Sequence, residues 1–334
     1  MNALGHTTIE DVAQAAGVSV ATVSRALRDL PNVAPSTRDK VRAVADELSY
    51  VSNPAASRLA AGRTGTVAVV VPIFDAWYFS SVVAGIEAVL KAEQVDLLLY
   101  AVGNEEDRRA FFAGRGAWWQ RSDALVMVDV ALGAESAQRL SKIGAKIVTI
   151  SGKSNHYSSV SLDEHHAAAT ATQHLIDRGH TRIGVLCGEP LSAGFHVPGV
   201  RLEGFCRAIR TAGLDDDPSL QRSGNFSMEG GAEAMAALLD LPSPPTAVFA
   251  MSDEMAFGAL SEMRLRGLTA PNDMAIVGFD NHRMAESMGL TTIHQPVEAI
   301  GEMAGRAVLE AMRNAAGPVT HQIAETKLIV RATT

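Results

Sequence analysis

The pattern of apolar and polar positions along the chain changes near residue 65. Before that point, apolar residues recur at three- and four-residue spacing, which predicts three short amphipathic helices within residues 8–50. Beyond it, seven continuous apolar runs of six to eight residues alternate with helical stretches. The chain is therefore expected to contain a small helical head followed by a larger α/β part.

The first two helices of the head are joined by a short turn that contains glycine. Thr8 is a candidate N-cap with Asp11 three residues later, and Gly17 stands where a left-handed C-cap is usual. Ser19 can cap a second helix over Val20–Leu27. This arrangement is typical of a helix-turn-helix. Any small three-helix bundle would show the same periodicity, so the pattern alone leaves DNA binding open.

Two further helices are expected before the α/β part begins. The third runs over residues 36–48, with Ser36 as its cap. The fourth, Pro54–Ala61, follows the good N-cap Asn53 and stops at Gly62, and a helix of about two turns is marginal alone in water. Three exposed basic residues of the third helix could meet phosphates or form a solvated face; they are Arg38, Lys40 and Arg42.

The apolar runs of the second part predict strands covered on both faces of a parallel sheet. They lie at 66–72, 95–102, 124–130, 146–151, 182–188, 246–251 and 274–279, and the helical stretches between them include 80–93, 167–178, 200–212 and 229–239. Alternating strands and helices predict a doubly wound α/β arrangement with right-handed crossovers. The strands are too many for one sheet, and residues 152–163 are polar, so we expect two lobes with a cleft between them.

Ligands of open parallel sheets bind outside the carboxyl ends of the strands, which selects candidate residues directly. The aromatic and polar residues at those ends are Phe74, Asp75, Trp77, Tyr78, Phe79, Ser252, Asp253, Asp280 and Asn281, with Arg201 opening a helix after a Gly- and Pro-rich loop. Stacking faces with a few acids and one arginine suit a small polyol. Asp253 could instead cap the helix 254–265, and Tyr78 and Phe79 could belong to the core. Arg201 and Asp280 are favoured because an interior charge is costly unless it is paired or used.

Composition limits the class of protein. A chain of 334 residues with 47% hydrophobic and 20% charged residues predicts two or three globular domains. No apolar run is long enough to cross a bilayer, the first seven residues do not form a signal peptide, and Cys187 and Cys206 have no metal or redox spacing, so we expect a cytoplasmic protein. The net charge of −8 argues against a nonspecific nucleic-acid coat, although residues 1–66 carry 7 basic and 6 acidic residues.

Catalytic motifs are missing from the sequence. The GKS string at 152–154 resembles the end of a phosphate loop, but Ile147 stands where that loop requires glycine. The adjacent His165 and His166 cannot both reach one metal from a helical face, and they are interpreted as solvated. No nucleophile, base and oxyanion hole come together, so we expect neither an enzyme nor a cofactor nor a metal site.

Two strings of the head, DVAQAAGVSVATVSRAL and VAPSTRDKVRAVADELSYVSNPAASRLAAG, resemble the DNA-binding head of the lactose-repressor (LacI/GalR) family almost position for position. The resemblance implies a homodimer or tetramer on a palindromic double-stranded operator, with the second helix in the major groove. There Arg25 would suit guanine, and Val20 and Ala21 a thymine methyl group. The helix Pro54–Ala61 would pair with its copy in the minor groove, where Leu59 would wedge between base steps; the alternative is a plain helical linker.

The residues expected on this basis to bind DNA lie in the first two helices, the following loop and the short fourth helix. They are Thr8, Ser19, Val20, Ala21, Thr22, Ser24, Arg25, Asn32, Asn53, Ala56, Leu59 and Ala60.

For the remainder of the chain the resemblance implies a fold like the periplasmic sugar-binding proteins, with crossings between lobes near 162, 291 and 323. The expected domains are a helix-turn-helix head at 1–50, a hinge helix and linker at 51–64, an N-terminal lobe at 65–162 plus 292–322, and a C-terminal lobe at 163–291 plus 323–334. The expected effector-binding residues are Phe74, Asp75, Trp77, Tyr78, Asp163, Arg201, Ser252, Asp253, Asp280 and Gln295.

Two of these match family positions that hold effector hydroxyl groups, namely Arg201 in RLEGF and Asp280 in VGFD. Two features depart from the family pattern. Ser252 stands where an asparagine is common and cannot offer an amide's donor and acceptor pair, and the first loop reads FDAWYF. A hexose held in the usual way is therefore not expected. The expected effector is a sugar or sugar derivative, and a nucleoside or purine is the alternative.

The function predicted from these observations is a DNA-binding transcriptional regulator, expected to be a repressor, whose operator affinity is switched by a small molecule between the lobes. Closure of the cleft would rotate one lobe against the other and change the spacing of the paired short helices. The alternative from another class is a cytoplasmic sensor whose head binds protein. No membrane partner is expected.

Overall fold

The computed structural model describes residues 7–50, 64–113, 118–130, 138, 140, 142, 144–153, 155–188, 197–314 and 317–334. The chain divides into two compact units, Met1–Gly65 and Thr66–Thr334. The short fourth helix expected at Pro54–Ala61, with the DNA-binding candidates Asn53, Ala56, Leu59 and Ala60, lies outside the described residues.

The first unit contains three helices, α1 (Ile9–Ala16), α2 (Val20–Leu27) and α3 (Pro35–Glu47). Their inward faces form a small core that includes the fully buried Val12, Val23 and Val41. Buried positions three or four residues apart are what a three-helix bundle requires, because each helix contributes one apolar stripe. The helical periodicity of the sequence therefore predicted this unit correctly.

The ends of α1 and α2 are fixed by the caps that the sequence indicates. Thr8 and Asp11 form a reciprocal capping box, Gly17 ends α1 in the left-handed region with φ 68°, and the Ser19 hydroxyl accepts from the Thr22 amide. The expected Ser36 cap of α3 is wrong. That helix begins at Pro35, with Ala34 at its N-cap and no side-chain cap hydrogen bond. The fixed φ of proline favours the first helical position, where its missing N–H costs nothing.

The second unit is built on two sheets of six strands each. The first sheet has the order β11-β5-β4-β3-β1-β2 and the second β12-β10-β9-β8-β6-β7. The strands are β1 Thr66–Val71, β2 Asp96–Ala101, β3 Ala124–Val128, β4 Lys146–Ile150, β5 Ser158–Ser161, β6 Ile183–Cys187, β7 Gln221–Ser223, β8 Ala247–Ala250, β9 Ala275–Asp280, β10 Thr291–His294, β11 His321–Ile323 and β12 Lys327–Ile329. All neighbours pair in parallel except β10 and β12, which are antiparallel.

Helices cover the faces of both sheets, as parallel strands require. They are α4 Trp77–Ala92, α5 Glu105–Phe112, α6 Trp118–Arg121, α7 Glu164–Asp177, α8 Val197–Thr211, α9 Met228–Leu239, α10 Asp253–Leu265 and α11 Val297–Arg313. The doubly wound two-lobed α/β prediction is confirmed, and a strand lies at each of the seven apolar runs. Among the helices of the described residues, none combines the length and the apolar content that a membrane span requires.

Strand membership shows where the chain passes between the sheets. It leaves the first sheet after β5 and enters the second at β6. Because β10 pairs with β9, the chain returns after His294, a few residues beyond the expected crossing near 291. β11 then joins the first sheet and β12 the second.

A close approach of two helices positions the start of α4. A Cβ atom added to Gly85 of α4 would lie 2.1 Å from the Glu298 carbonyl oxygen, and one added to Gly301 of α11 would lie 2.2 Å from that of Val82. Only glycine permits backbones this close. The contact fixes α4 over the first sheet, so that its first turn reaches the carboxyl ends of the strands.

Candidate functional site

A cavity of about 360 Å³ opens at the carboxyl ends of strands from both sheets. Residues that follow β1, β2 and β3 of the first sheet line one side of it. The other side is lined by Asp280 at the end of β9 and by residues that follow β6, β7, β8 and β10 of the second sheet. Its volume lies in the range of small-molecule sites, and its position is the one expected for a ligand of open parallel sheets.

Five of the predicted effector residues line this cavity: Tyr78, Arg201, Ser252, Asp280 and Gln295. Tyr78 and Phe79 both line the cavity and also pack against the core of the first sheet. Ser252 is the N-cap of α10, since its hydroxyl accepts from the Met255 amide. The side chain that replaces the family's asparagine is thus partly committed to the helix.

The other five predicted residues do not line the cavity. Phe74 is 61% exposed and Asp75 is exposed. Trp77 packs edge-on against His282, with ring centroids 4.6 Å apart, so it bridges the two sides of the cleft. Asp163 caps α7 through the His166 amide.

Asp253 neither lines the cavity nor caps its helix, the two roles expected from the sequence. It is fully buried in the first turn of α10, whose cap is Ser252. Its carboxylate accepts from the Thr292 hydroxyl at 2.6 Å and from the His282 amide at 2.7 Å. Burial raises the pKa of Asp253 to about 7, although these hydrogen bonds oppose the shift. The residue ties α10 to the loop after β9 and to β10, and each of these segments adjoins a cavity residue, Asp280 and Gln295 respectively.

Arg201 is the most constrained cavity residue, with 4% of its surface exposed. Its Nε lies 2.7 Å from Glu164 Oε2, and its Nη1 donates to the Met251 carbonyl at 2.6 Å. The guanidinium carbon lies 3.6 Å from the centre of the Phe279 ring. Burial alone would lower the pKa of Arg201, but Glu164 and Asp280 raise it above its ordinary value. The charge on Arg201 is therefore kept and already paired.

Asp280 and Gln295 form a buried polar pair opposite this arginine. Gln295 Nε2 donates to Asp280 Oδ1, and Gln295 Oε1 is buried without a hydrogen-bond partner in the structure. Asp280 has a φ of 120°, a strained value for a residue with a side chain. Burial raises the pKa of Asp280 well above its ordinary value, against the opposing effect of Arg201. A polar group left unpaired at this cost is typical of a ligand site.

Asp129 and Glu164 are cavity-region residues that the sequence interpretation missed. The apolar run predicts one strand over 124–130, but β3 ends at Val128, which places Asp129 at a strand's carboxyl end. Asp129 lines the cavity, and its Oδ1 is buried without a partner. Asp129 would have been selected as a residue at the carboxyl end of a strand if the predicted strand had ended before this aspartate. Glu164 gave no such signal, because its partner Arg201 lies 37 positions away.

We expect Asp129→Asn to raise stability near neutral pH. Burial raises the pKa of Asp129 to about 6, while Ser151 and Arg201 oppose the shift and Glu164 adds to it. An acid with a raised folded-state pKa destabilises the fold above that pKa, and the penalty disappears as the pH falls toward the unfolded value near 4. Asp129→Asn should therefore be more stable than the parent by about 1–2 kcal/mol at pH 7.5 and by much less at pH 4.5. Urea denaturation at both pH values measures this, and the exposed Asp215→Asn is the matched control. A difference independent of pH would contradict it.

One face of α2 is exposed on the head. Ala21 and Arg25 are exposed and Val20 is 39% exposed, whereas the hydroxyl groups of Ser19 and Thr22 contact each other at 2.9 Å. Ser24 is half-buried, and Asn32 lies in the following loop with φ 70°. Thr8 is occupied in the capping box of α1. The small side chains at the start of α2, followed by one arginine, suit entry into a major groove.

The basic residues of α3 are partly engaged within the head. Arg42 Nη2 lies 2.6 Å from Asp29 Oδ1, and Arg38 donates to the Leu30 carbonyl at 3.0 Å. Both side chains therefore support the loop between α2 and α3. Lys40 and Arg42 are exposed, so phosphate contact and a solvated face both stay predictions for this helix.

Comparison with known proteins agrees with both units. Residues 8–53 match the model of bacterial regulatory proteins of the lacI family, and residues 172–334 match the periplasmic binding protein-like domain. The catabolite control protein A of Priestia megaterium is 33% identical over 92% of this chain and 93% of its own. The transcriptional repressor CytR of Escherichia coli K12 is 32% identical over 98% and 96%.

Solved structures agree as well. A lac repressor dimer bound to operator and an anti-inducer matches with a TM-score of 0.85 and 26% identity, over 98% of this chain and 99% of that one. A CelR–cellobiose complex matches with a TM-score of 0.71 and 29% identity, over 98% and 100%. The head and the two-sheet unit thus define a ligand-responsive DNA-binding regulator. The chain belongs to the lacI family of bacterial regulatory proteins, and it is a transcriptional regulator rather than an enzyme.

Proposed function

We propose that this regulator is a homodimeric repressor whose affinity for a palindromic operator is set by a sugar-like or nucleoside-like effector in the cavity. One observation carries the proposal. The same chain holds an α2 surface suited to base reading and a cavity of about 360 Å³ with unpaired polar atoms. Because it acts on chromosomal DNA, the proposed compartment is the cytoplasm.

In the complex with DNA, α2 would contact base edges in the major groove, and the expected helix Pro54–Ala61 would bind in the minor groove. Arg25 would pair with guanine, and Val20 and Ala21 would contact a thymine methyl group. The roles of Asn53, Ala56, Leu59 and Ala60 rest on the sequence resemblance.

We expect Leu59→Ala to weaken specific operator binding by about tenfold or more, because insertion of an apolar side chain supports the kinked duplex. Sedimentation should show an unchanged dimer, and calorimetry an unchanged ligand affinity. The matched control is Leu265→Ala, since that leucine is 77% exposed on α10 of the second unit. If Leu59→Ala bound the operator as tightly as the parent, the wedge would be ruled out.

On the effector side, the cavity combines ring-stacking walls with convergent polar groups. Tyr78, Phe79 and Phe226 provide the aromatic faces, and Asp129 and Gln295 provide unpaired acceptors. A ring that carries several hydroxyl or N–H donors fits such a site. Cellobiose in the CelR complex is an example from a related regulator.

The switch would be a shift between two arrangements of the sheets. The effector would contact residues after strands of both sheets, so it would bind best when the cleft closes on it. Contacts that already span the cleft, such as Trp77 against His282, would be made or broken with that closure. The result would be altered spacing of the two heads of a dimer, and hence altered operator affinity.

The test is a gel-shift titration of the full-length protein on DNA upstream of its own gene, with and without candidate ligands. We expect a specific complex at low salt that at least one ligand alters. No specific complex with any native DNA at low salt would overturn the proposed function. A thermal-shift screen over pentoses, hexoses, nucleosides and purines would supply the ligands, because a ligand of the folded state raises the melting temperature.

A further inference from the structure

We infer that the cavity accepts only ligands without negative charge, and that Glu164 is the residue that closes it to phosphorylated molecules. This inference rests on the proposed effector role of the cavity and adds the charge class of the ligand. It would exclude sugar phosphates and nucleotides, and it would retain neutral sugars, nucleosides and amino sugars.

The first observation is the balance of charges around the cavity. Three carboxyl groups line it, those of Asp129, Glu254 and Asp280. Among the described lining residues, Arg201 is the single lysine or arginine. Burial raises the pKa of all three carboxyl groups, so the site disfavours negative charge, and a phosphate group would add to that charge.

The second observation is that Glu164 and a backbone carbonyl already occupy two of the three nitrogens of Arg201. Glu164, itself about one-tenth exposed, approaches Nε at 2.7 Å from outside the cavity lining. Nη1 is used by the Met251 carbonyl, and the Phe279 ring covers one face of the guanidinium. Nε and Nη1 belong to the two different faces with which a guanidinium binds a phosphate or carboxylate in two places, so each face already has one nitrogen engaged. Glu164 supplies the negative charge that an anionic ligand would otherwise supply.

The third observation is that the unpaired polar atoms of the cavity are hydrogen-bond acceptors. Asp129 Oδ1 and Gln295 Oε1 are buried acceptors without partners. They need donors, which hydroxyl and amine groups provide and fully ionised phosphate oxygens do not. The site is thus complementary to donor-rich, uncharged rings on two independent grounds, charge and hydrogen bonding.

A purely structural role for the Glu164–Arg201 pair makes a different prediction. In that case Glu164→Gln would lower stability but leave the ranking of ligands by charge unchanged. If Glu164 sets the charge class, the same substitution frees a buried guanidinium and lets an anion take the place of the lost carboxylate.

The experiment compares matched neutral and phosphorylated ligands on the full-length protein without DNA. The pairs are ribose with ribose 5-phosphate, glucose with glucose 6-phosphate and cytidine with cytidine monophosphate, at constant ionic strength. Thermal shift and calorimetry are the readouts. We expect no phosphorylated member to stabilise the parent protein, and any neutral binder to exceed its phosphorylated partner by roughly 100-fold or more. A phosphorylated member that binds the parent as well as its neutral partner would overturn the inference.

A second arm needs no identified effector. Inorganic phosphate, compared with chloride, should raise the melting temperature of Glu164→Gln by several degrees more than that of the parent. The extra shift should vanish in Glu164→Gln combined with Arg201→Gln, which controls for phosphate bound elsewhere. Equal shifts in the parent and Glu164→Gln would overturn the role of Glu164. If Glu164→Gln does not fold, Glu164→Asp, which keeps the charge, should still exclude phosphate, and phosphate binding to it would count against the inference. Neither arm of this experiment measures operator binding, so failure of this inference can be distinguished from failure of the proposed function.

Discussion

Replacing Arg201 by methionine is expected to lower the free energy of unfolding of the second unit by about 3–4 kcal/mol. The substitution leaves the Glu164 carboxylate buried, where Arg201 Nε had been 2.7 Å away. It also removes the hydrogen bond to the Met251 carbonyl and the contact with the Phe279 ring. Breaking one side of a buried ion pair costs more than removing the whole pair, because the remaining charge has lost its hydration without compensation.

Urea denaturation followed by tryptophan fluorescence measures this loss in the full-length protein. The three tryptophans, Trp77, Trp118 and Trp119, all lie in the second unit, so the signal does not include the head. The matched control is Arg201→Met combined with Glu164→Gln, which removes both charges. We expect the double variant to regain most of the lost stability. Equal destabilisation in the single and double variants would show that the ion pair does not carry the effect.

Replacing Arg25 by alanine is expected to reduce specific operator affinity by about 10- to 100-fold, or roughly 1–3 kcal/mol. Arg25 is exposed on α2 and is absent from the core of the head, so its removal should leave the fold intact. A bidentate contact from arginine to guanine is the strongest single base contact available to this helix. The loss should be confined to operators that carry guanine at the contacted position.

Fluorescence anisotropy on operator and on scrambled DNA at one salt concentration separates base reading from phosphate binding. The matched control is Arg28→Ala, three residues farther along, at the exposed C-cap of α2. We expect Arg28→Ala to weaken binding to the operator and to the scrambled DNA to a similar and smaller extent, because a phosphate contact does not distinguish sequences. Arg25→Ala binding the operator as tightly as the parent would remove Arg25 from the base-reading surface.

Local signals in the sequence were sufficient for most of the fold. The capping box of Thr8 and Asp11 and the stop at Gly17 depend on residues within one turn, and the structure shows them as expected. The buried strands β1, β3 and β9 can be recognised in the sequence as continuous apolar runs, because both of their faces are covered. The short strands β7, β11 and β12 cannot be recognised in this way, because three partly exposed residues form no distinct hydrophobic pattern.

The cavity was harder to predict because it depends on contacts distant in sequence. The helices α4 and α7 begin about three residues earlier than their apolar periodicity suggests, which moves Trp77 and Glu164 into first turns. Trp77 then meets His282, and Glu164 meets Arg201, across separations that no local pattern encodes. Arg201 and Asp280 were predictable, because a charge at a strand end or cleft is costly without a use.

The coupling between the cavity and DNA binding is tested most directly by one anisotropy titration. Labelled operator is titrated with the parent protein, with and without a saturating ligand that raises its melting temperature. We expect the ligand to change operator affinity by at least about tenfold, within the range of coupling energies between linked sites. The same ligand should leave the operator affinity of Arg201→Met combined with Glu164→Gln unchanged. Superimposed curves for the parent, under conditions where calorimetry shows the cavity filled, would contradict the proposed switch.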